Sequence, residues 1–271
     1  MLAARGFLDV AGKRLEYAHL GPQPSEAPTL VLLHEGLGCV GLWGDFPARL
    51  QRATGCGVFV YARAGYGASD PVVLPRPLDY MQREAREVLP PLLDAIGIRS
   101  GVLIGHSDGA SIAAVHLGQV RDPRIEAAVL IAPHFLVEDM CVAAIAEAKV
   151  AYETTDLRTK LGRWHGDVDV AFRGWNDAWL DPAFKFWDIR EALETVTRPM
   201  AVIQGADDQY GTLLQVETAV ELSPAPVVTT ILPGVKHSPH REAAEATVAA
   251  ITRFFRAFPD LSVSRALEGA R

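Results

Sequence analysis

Val102-Leu103-Ile104-Gly105-His106-Ser107-Asp108-Gly109-Ala110 is the stretch on which the reading of this 271-residue chain turns. Three apolar strand-forming residues end at a glycine, and a helix-forming run opens near Ala110. The chain must pass from strand to helix at a single residue, Ser107. That demands a backbone conformation rarely adopted by a residue with a side chain. The positions two before and two after must lack bulk, and both are glycine. Such a bend lifts the Ser107 hydroxyl clear of the backbone. The following helix aims its first N–H groups at the same point, where they favour negative charge. A G-x-S-x-G sequence between a buried strand and a helix reads as a nucleophile turn. Centring the bend on Asp108 would put His106 at one of the tight positions, where it does not fit.

Working outward, short apolar runs of strand type stand at 30–33, 58–61, 102–104, 127–131, 200–203 and 227–232. Two more polar runs, 7–10 and 14–19, flank a turn at Gly12. Helical periodicity covers 42–53, 78–96, the run after Ser107 to about residue 119, and 242–258. Pro90 and Pro91 should kink the second of these. Buried strands alternating with helices imply an α/β fold, a mostly parallel sheet with helices on both faces. The alternation stops at 133–197, which is helical and aromatic. Its first stripe is Val137, Met140, Cys141, Ala144, Ile145 and Ala148. The expected organisation is a core of residues 1–132 and 198–271, with 133–197 inserted as a helical cap. A cap there would cover the carboxyl edge of the sheet, where ligands of open parallel sheets bind. The tail from Pro259 is expected to fray.

Composition sets the outer limits. Hydrophobic residues are 49% and charged residues 22%, the balance of a globular chain rather than a disordered one. No apolar stretch is long enough for a membrane span. A net charge of −7 without a basic run disfavours nucleic acid as a partner. Three cysteines with no C-x-x-C spacing point to a reducing compartment, the cytoplasm, and offer no metal site. The first residues turn polar before an apolar run develops, so no secretory signal is expected.

A serine hydroxyl needs a base. Among eight histidines, His237 follows the last strand in Pro233-Gly234-Val235-Lys236-His237, on a loop returning to the carboxyl edge. His240 falls where the final helix should begin. The base needs a carboxylate to hold its tautomer. Asp207 and Asp208 follow the strand at 200–203, and the Gly-x-x-Asp spacing from Gly205 favours Asp208. Two N–H donors are needed where an oxyanion would form. One is that of Asp108, next after the serine. Gly36, in His34-Glu35-Gly36-Leu37-Gly38, is assigned the second, with Leu37 or Glu35 as alternatives.

With these residues in place the chain resembles the α/β-hydrolase superfamily over nearly its whole length. The resemblance rests on the 34–38 loop, the turn Ala62-Arg63-Ala64-Gly65-Tyr66-Gly67-Ala68-Ser69, the 105–109 bend, the Gly205-Ala206-Asp207-Asp208 loop and the Gly234–His237 loop, all in order. Within it the chain looks like the small bacterial esterases, lactonases and C–C hydrolases with helical caps. The resemblance implies a cofactor-free, metal-free serine hydrolase acting through Ser107, His237 and Asp208 on a small, largely apolar ester or lactone. Hydrolysis of a C–C bond in a diketone, or ligand binding without turnover, are the alternatives. Neither a nucleic acid nor a membrane partner is implied, and a monomer or homodimer is expected.

One position departs from the pattern: Glu35 stands where the family carries glycine. It would repel a developing oxyanion, fix the loop, or recognise a cation. The Ser107-Asp108 pair resembles that of amino-acid-ester hydrolases, in which the acid binds a substrate ammonium. Four of five tryptophans (Trp164, Trp175, Trp179, Trp187) crowd the 133–197 segment, beside Phe172, Phe184 and Phe186. They are candidates for the roof of an apolar pocket. His34, Glu35, Leu37 and Trp43 are further pocket candidates. The segment carries 12 acidic and 7 basic residues, which disfavours a polyanionic substrate.

Overall fold

The computed structural model describes residues 4–269. Eight strands form one sheet: β1 (Ala4–Val10), β2 (Lys13–Leu20), β3 (Thr29–Leu33), β4 (Gly57–Tyr61), β5 (Gly101–His106), β6 (Ile125–Ile131), β7 (Met200–Gly205) and β8 (Val227–Leu232). Their order is β1-β2-β4-β3-β5-β6-β7-β8. The β1–β2 and β2–β4 pairs are antiparallel; from β4 to β8 every pair is parallel. The central strands are buried on both faces, which is why they read as unbroken apolar runs. Their side chains alternate between two cores. Val31, Leu33, Leu103 and Val202 face one core; Leu30, Leu32, Val102, Ile104 and Ile203 face the other.

After β3 comes α1 (Phe46–Thr54), carrying Pro47 in its first turn. Next, α2 (Tyr80–Arg83) runs through a π-helical turn (Glu84–Val88) into α3 (Leu89–Ala95). The expected kink takes this form because Pro90 and Pro91 lack the N–H groups that would bond the preceding turn. Helix α4 (Asp108–Val115) starts at the bend after β5. Between β6 and β7 the described residues form no strand, only α5 (Asp139–Thr154), α6 (Leu157–Leu161), α7 (Val168–Trp179), a 3-10 turn (Pro182–Phe186) and α8 (Arg190–Leu193). A single bridge between Leu136 and Asp188 closes the base of this segment. On α5 the buried face is Cys141, Ile145 and Tyr152, while Met140, expected in the same stripe, is 37% exposed. The chain ends with α9 (Leu213–Leu222), α10 (Pro239–Glu242), α11 (Ala244–Ala257) and α12 (Ser262–Gly269).

Helix α12 corrects the expectation of a frayed tail. Val263 and Leu267 lie one turn apart and are buried in the core beneath α1 and α11. The helix is further tied by Ser264 Oγ donating to the Phe255 carbonyl at 2.6 Å, and by Ser262 N–H donating to Glu126 at 2.7 Å. Two apolar residues at helical spacing were too short a signal beside the polar positions between them. Truncating the fully packed Leu267 to alanine should therefore cost about 2–5 kcal/mol. Urea denaturation of L267A checks this; a midpoint equal to wild type would mean the helix contributes nothing.

Candidate active site

Ser107 stands at φ +53° and ψ −120°, between β5 and α4. Its neighbours show why the turn needs glycine. A Cβ on Gly105 would strike the Gly109 carbonyl, and one on Gly109 would strike the Leu33 carbonyl at the end of β3. The bend thus packs directly against the strand end from which the 34–38 loop departs.

That loop is held by its carbonyls. The buried Arg63 guanidinium donates to the His34 carbonyl and, at 3.0 Å, to that of Glu35. His34 Nδ1 donates to the Glu35 carbonyl at 2.7 Å, while its Nε2 accepts the Arg63 N–H at 3.0 Å, which fixes the tautomer. In a trans peptide the N–H points opposite to the C=O. Turning the Glu35 carbonyl toward Arg63 therefore turns the Gly36 N–H the other way, and Gly36 lines the cavity that Ser107 faces. Among the described residues neither the Gly36 nor the Asp108 N–H donates to a backbone or side-chain acceptor. Of the two, Gly36 lines the cavity, and Asp108 follows Ser107 at the start of α4.

His237 and Ser107 open on this same cavity. His237 Nδ1 lies 2.9 and 2.8 Å from the two carboxylate oxygens of Asp208. Asp208 also accepts from Tyr210 N–H at 2.8 Å and Gln204 Nε2 at 2.7 Å. Burial alone would raise the Asp208 carboxyl, but the bond to His237, its charge and the Tyr210 N–H outweigh it and hold it below its ordinary value. Asp207, the alternative, is exposed. His240 is buried in α10 against Trp43 and His106 and does not reach the cavity. The His237 ring is hydrogen-bonded to Asp208 and makes no hydrogen bond to Ser107 Oγ.

The cavity has a volume of about 110 Å³. Glu35, Leu37, Trp175 and Trp179 line it as expected, with Cys141, Ile145, His134 and Tyr210 beside them. These last four come from the segment after β6 and from the Asp208 loop, and nothing in their local sequence separates them from packing residues. Trp179 turns its N–H away to Tyr80 at 3.1 Å, leaving carbon toward the cavity. Trp175 lies over Gly36 so closely that a Cβ there would enter its indole. His165 bridges the helical segment to the loops below: its Nδ1 accepts from Gly67 N–H at 3.0 Å and its Nε2 donates to the Leu37 carbonyl at 3.1 Å.

Four pocket candidates lie elsewhere. His34 is fully buried in its tautomer-locked role behind the loop. Trp43 is packed between Phe46 and His240. Trp164 lies half-exposed on Gly41, and Trp187 donates to Gln82 at 3.1 Å within an aromatic stack with Phe184. Asp108 does not offer its carboxylate to a substrate ammonium. Its side chain is buried away from the cavity, accepting from Tyr80 and standing 3.9 Å from Arg63. Burial raises that carboxyl, against the lowering pull of Arg63 and Tyr80. A larger polar depression of about 500 Å³ between α5 and α7 touches neither Ser107 nor His237.

The alpha/beta hydrolase family model matches residues 30–250, and the chain belongs to that family. It is thus an α/β-fold hydrolase. No curated protein sequence matches it significantly. Among solved structures it resembles the enol-lactonase of Burkholderia xenovorans LB400, at TM-score 0.68 and 19% identity over 92% of this chain and 99% of that one. The proline iminopeptidase of Mycobacterium smegmatis matches at TM-score 0.75 and 18% identity, covering 99% of this chain and all of its own. A carboxylesterase of Bacillus subtilis matches at TM-score 0.70 and 20% identity, over 95% and 93% of the two chains. At these identities the likeness speaks for the fold.

His134 gives the site a pH signature. Burial, with the His237 charge beside it, pushes its imidazole down to about 3 from its ordinary 6.5. The unfolded chain takes up this proton below about pH 6.5, while the folded chain refuses it until near pH 3. Stability is therefore lost as pH falls from 6.5, by about 2 kcal/mol from this residue at pH 5. Urea unfolding of wild type and His134→Gln at pH 7 and pH 5 should show the variant losing about that much less on acidification. Parallel losses would refute it.

Proposed function

We propose that the protein hydrolyses small, largely apolar carboxylic esters or lactones through an acyl-enzyme on Ser107. One observation carries this reading: the strained Ser107 and an Asp208-anchored His237 open on one small cavity. Since His237 Nδ1 is committed to Asp208, Nε2 is the nitrogen left for the serine proton. Ser107 Oγ adds to the carbonyl carbon as Nε2 takes its proton. The former carbonyl oxygen becomes an oxyanion, received by the N–H groups of Gly36 and Asp108. The alcohol departs with the proton from His237. Water then attacks the acyl group in the same way, releasing the acid and restoring Ser107.

Substrate size follows from the cavity. An apolar cavity of about 150 Å³ holds a benzene ring. A space of about 110 Å³ walled by Leu37, Ile145, Cys141, Trp175 and Trp179 suits acyl groups of a few carbons. The esterase and lactonase among the structural neighbours support the ester and lactone class. We read residues 1–132 and 198–271 as the catalytic core and 133–197 as its cap, supported by the contacts of His165 and Trp175 with the loops beneath. Among the described residues no helix is long and apolar enough to cross a membrane. We assign the protein to the cytoplasm on its three free cysteines.

The test is a panel of p-nitrophenyl esters and lactones with Ser107→Ala as control. Acetate and butyrate should be turned over faster than octanoate, and the variant should lose about 10⁴–10⁶ of kcat. A fluorophosphonate should label Ser107 alone. Full turnover by the variant would sink the assignment. Turnover confined to β-diketones would replace it by C–C hydrolysis, and tight ligand binding without turnover by a receptor role.

A further inference from the structure

Glu35 lies 3.4 Å from His106 Nδ1, through Oε2. The opposite ring nitrogen, Nε2, lies 2.8 Å from the backbone carbonyl of His237. A carbonyl only accepts, so Nε2 carries a hydrogen. A neutral imidazole has one N–H. His106 in that state, buried at 1% exposure, would turn a bare lone pair from Nδ1 toward the Glu35 carboxylate, whose side chain is 22% exposed at the cavity edge, leaving two acceptors face to face. The contact is favourable only with one more proton, on the imidazole or on the carboxyl. In either placement the pair is electrically neutral.

The surroundings supply no other source for that balance. His240 packs against His106 at a tilt of 60°, ring centroids 4.5 Å apart, and burial holds its own imidazole well below the ordinary value. His34 is likewise held down by burial and by Arg63, and spends its N–H on the Glu35 backbone. The Arg63 guanidinium is directed to the loop carbonyls. His237 presents its carbonyl to His106 and its Nδ1 to Asp208. Burial by itself would raise the Glu35 carboxyl, but the bond to His106 outweighs it and holds the carboxyl below its ordinary value.

We propose that Glu35 and His106 share one proton and act as a neutral strap between the loop after β3, the residue before Ser107 and the backbone of His237. His237 is then gripped twice: Asp208 orients its ring and the strap locates its main chain. The shared proton also explains how a carboxylate can stand in a cavity built to receive negative charge. Glu35 and His106 are positioning residues in this scheme, which rests on reading Ser107 and His237 as nucleophile and base.

Two measurements on the full chain test it. In ¹⁵N-histidine-labelled protein at pH 7, His106 Nδ1 should be protonated or strongly hydrogen-bonded, and should become a free lone pair in Glu35→Ala. A free lone pair in wild type would overturn the strap, whatever the enzyme's substrate. With p-nitrophenyl acetate, E35A should lower kcat about ten- to hundredfold with KM within about twofold, as a misplaced base does. E35Q, whose amide can donate to a neutral His106, should recover most of that loss. E35A and H106A together should cost no more than the worse of the two alone. E35Q failing as badly as E35A, or additive losses, would each overturn the proposal. An inactive wild type with the expected nitrogen signals would instead remove the ester-hydrolase reading and leave the strap standing.

Discussion

The whole site hangs on how one buried guanidinium orders the peptide groups around it. Arg63 draws the carbonyls of residues 34 and 35 inward, and the planar trans amide then has no choice but to send the Gly36 N–H outward. A guanidinium suits this place because it stays charged when buried and offers several donors in one plane. Its charge is met by Asp108, 3.9 Å away, on the residue that follows Ser107. The same ion therefore ties the loop after β3 to the first residue of α4. Lysine could not replace it, having neither the plane nor the number of fixed donors.

The sheet supplies the rigid frame for this arrangement. β3 and β5 are hydrogen-bonded neighbours, so their carboxyl ends deliver the 34–38 loop and the Ser107 bend side by side. β7 and β8 deliver Asp208 and His237 from the other side of β6. Four loops from four strands converge on about 110 Å³ without any one of them needing to be long. The helical segment lines the remaining side with Cys141, Ile145, Trp175 and Trp179.

Much of this could be read from the residues alone, and the reason is steric. Gly105 and Gly109 have no alternative at a turn where a Cβ would collide with main chain, so the bend announces itself in five letters. The buried strands were equally plain, because burial on both faces removes every polar residue from the run. What the sequence concealed was side-chain direction. His34 and Trp43 sit beside the loop in the chain, yet one points behind it and the other into the core under α10. Cys141, Ile145, His134 and Tyr210 reach the cavity from far along the chain by tertiary packing that leaves no local mark. The Ser107-Asp108 pair suggested a cation ligand only through its resemblance to amino-acid-ester hydrolases; the burial of Asp108 against Tyr80 is not visible in composition or spacing. The terminal helix escaped notice for the opposite reason, having only Val263 and Leu267 to reveal a buried face.

Trp175 resting on Gly36 makes these two positions share a single allotment of space. Any residue bulkier than glycine at 36 is compatible with the loop only if a smaller ring or an aliphatic chain stands at 175. Across descendants of this protein the pair would have to change in concert, one shrinking as the other grows. The loop that faces the serine and the helix that roofs it are thus bound to a common history, though 138 residues of chain lie between them.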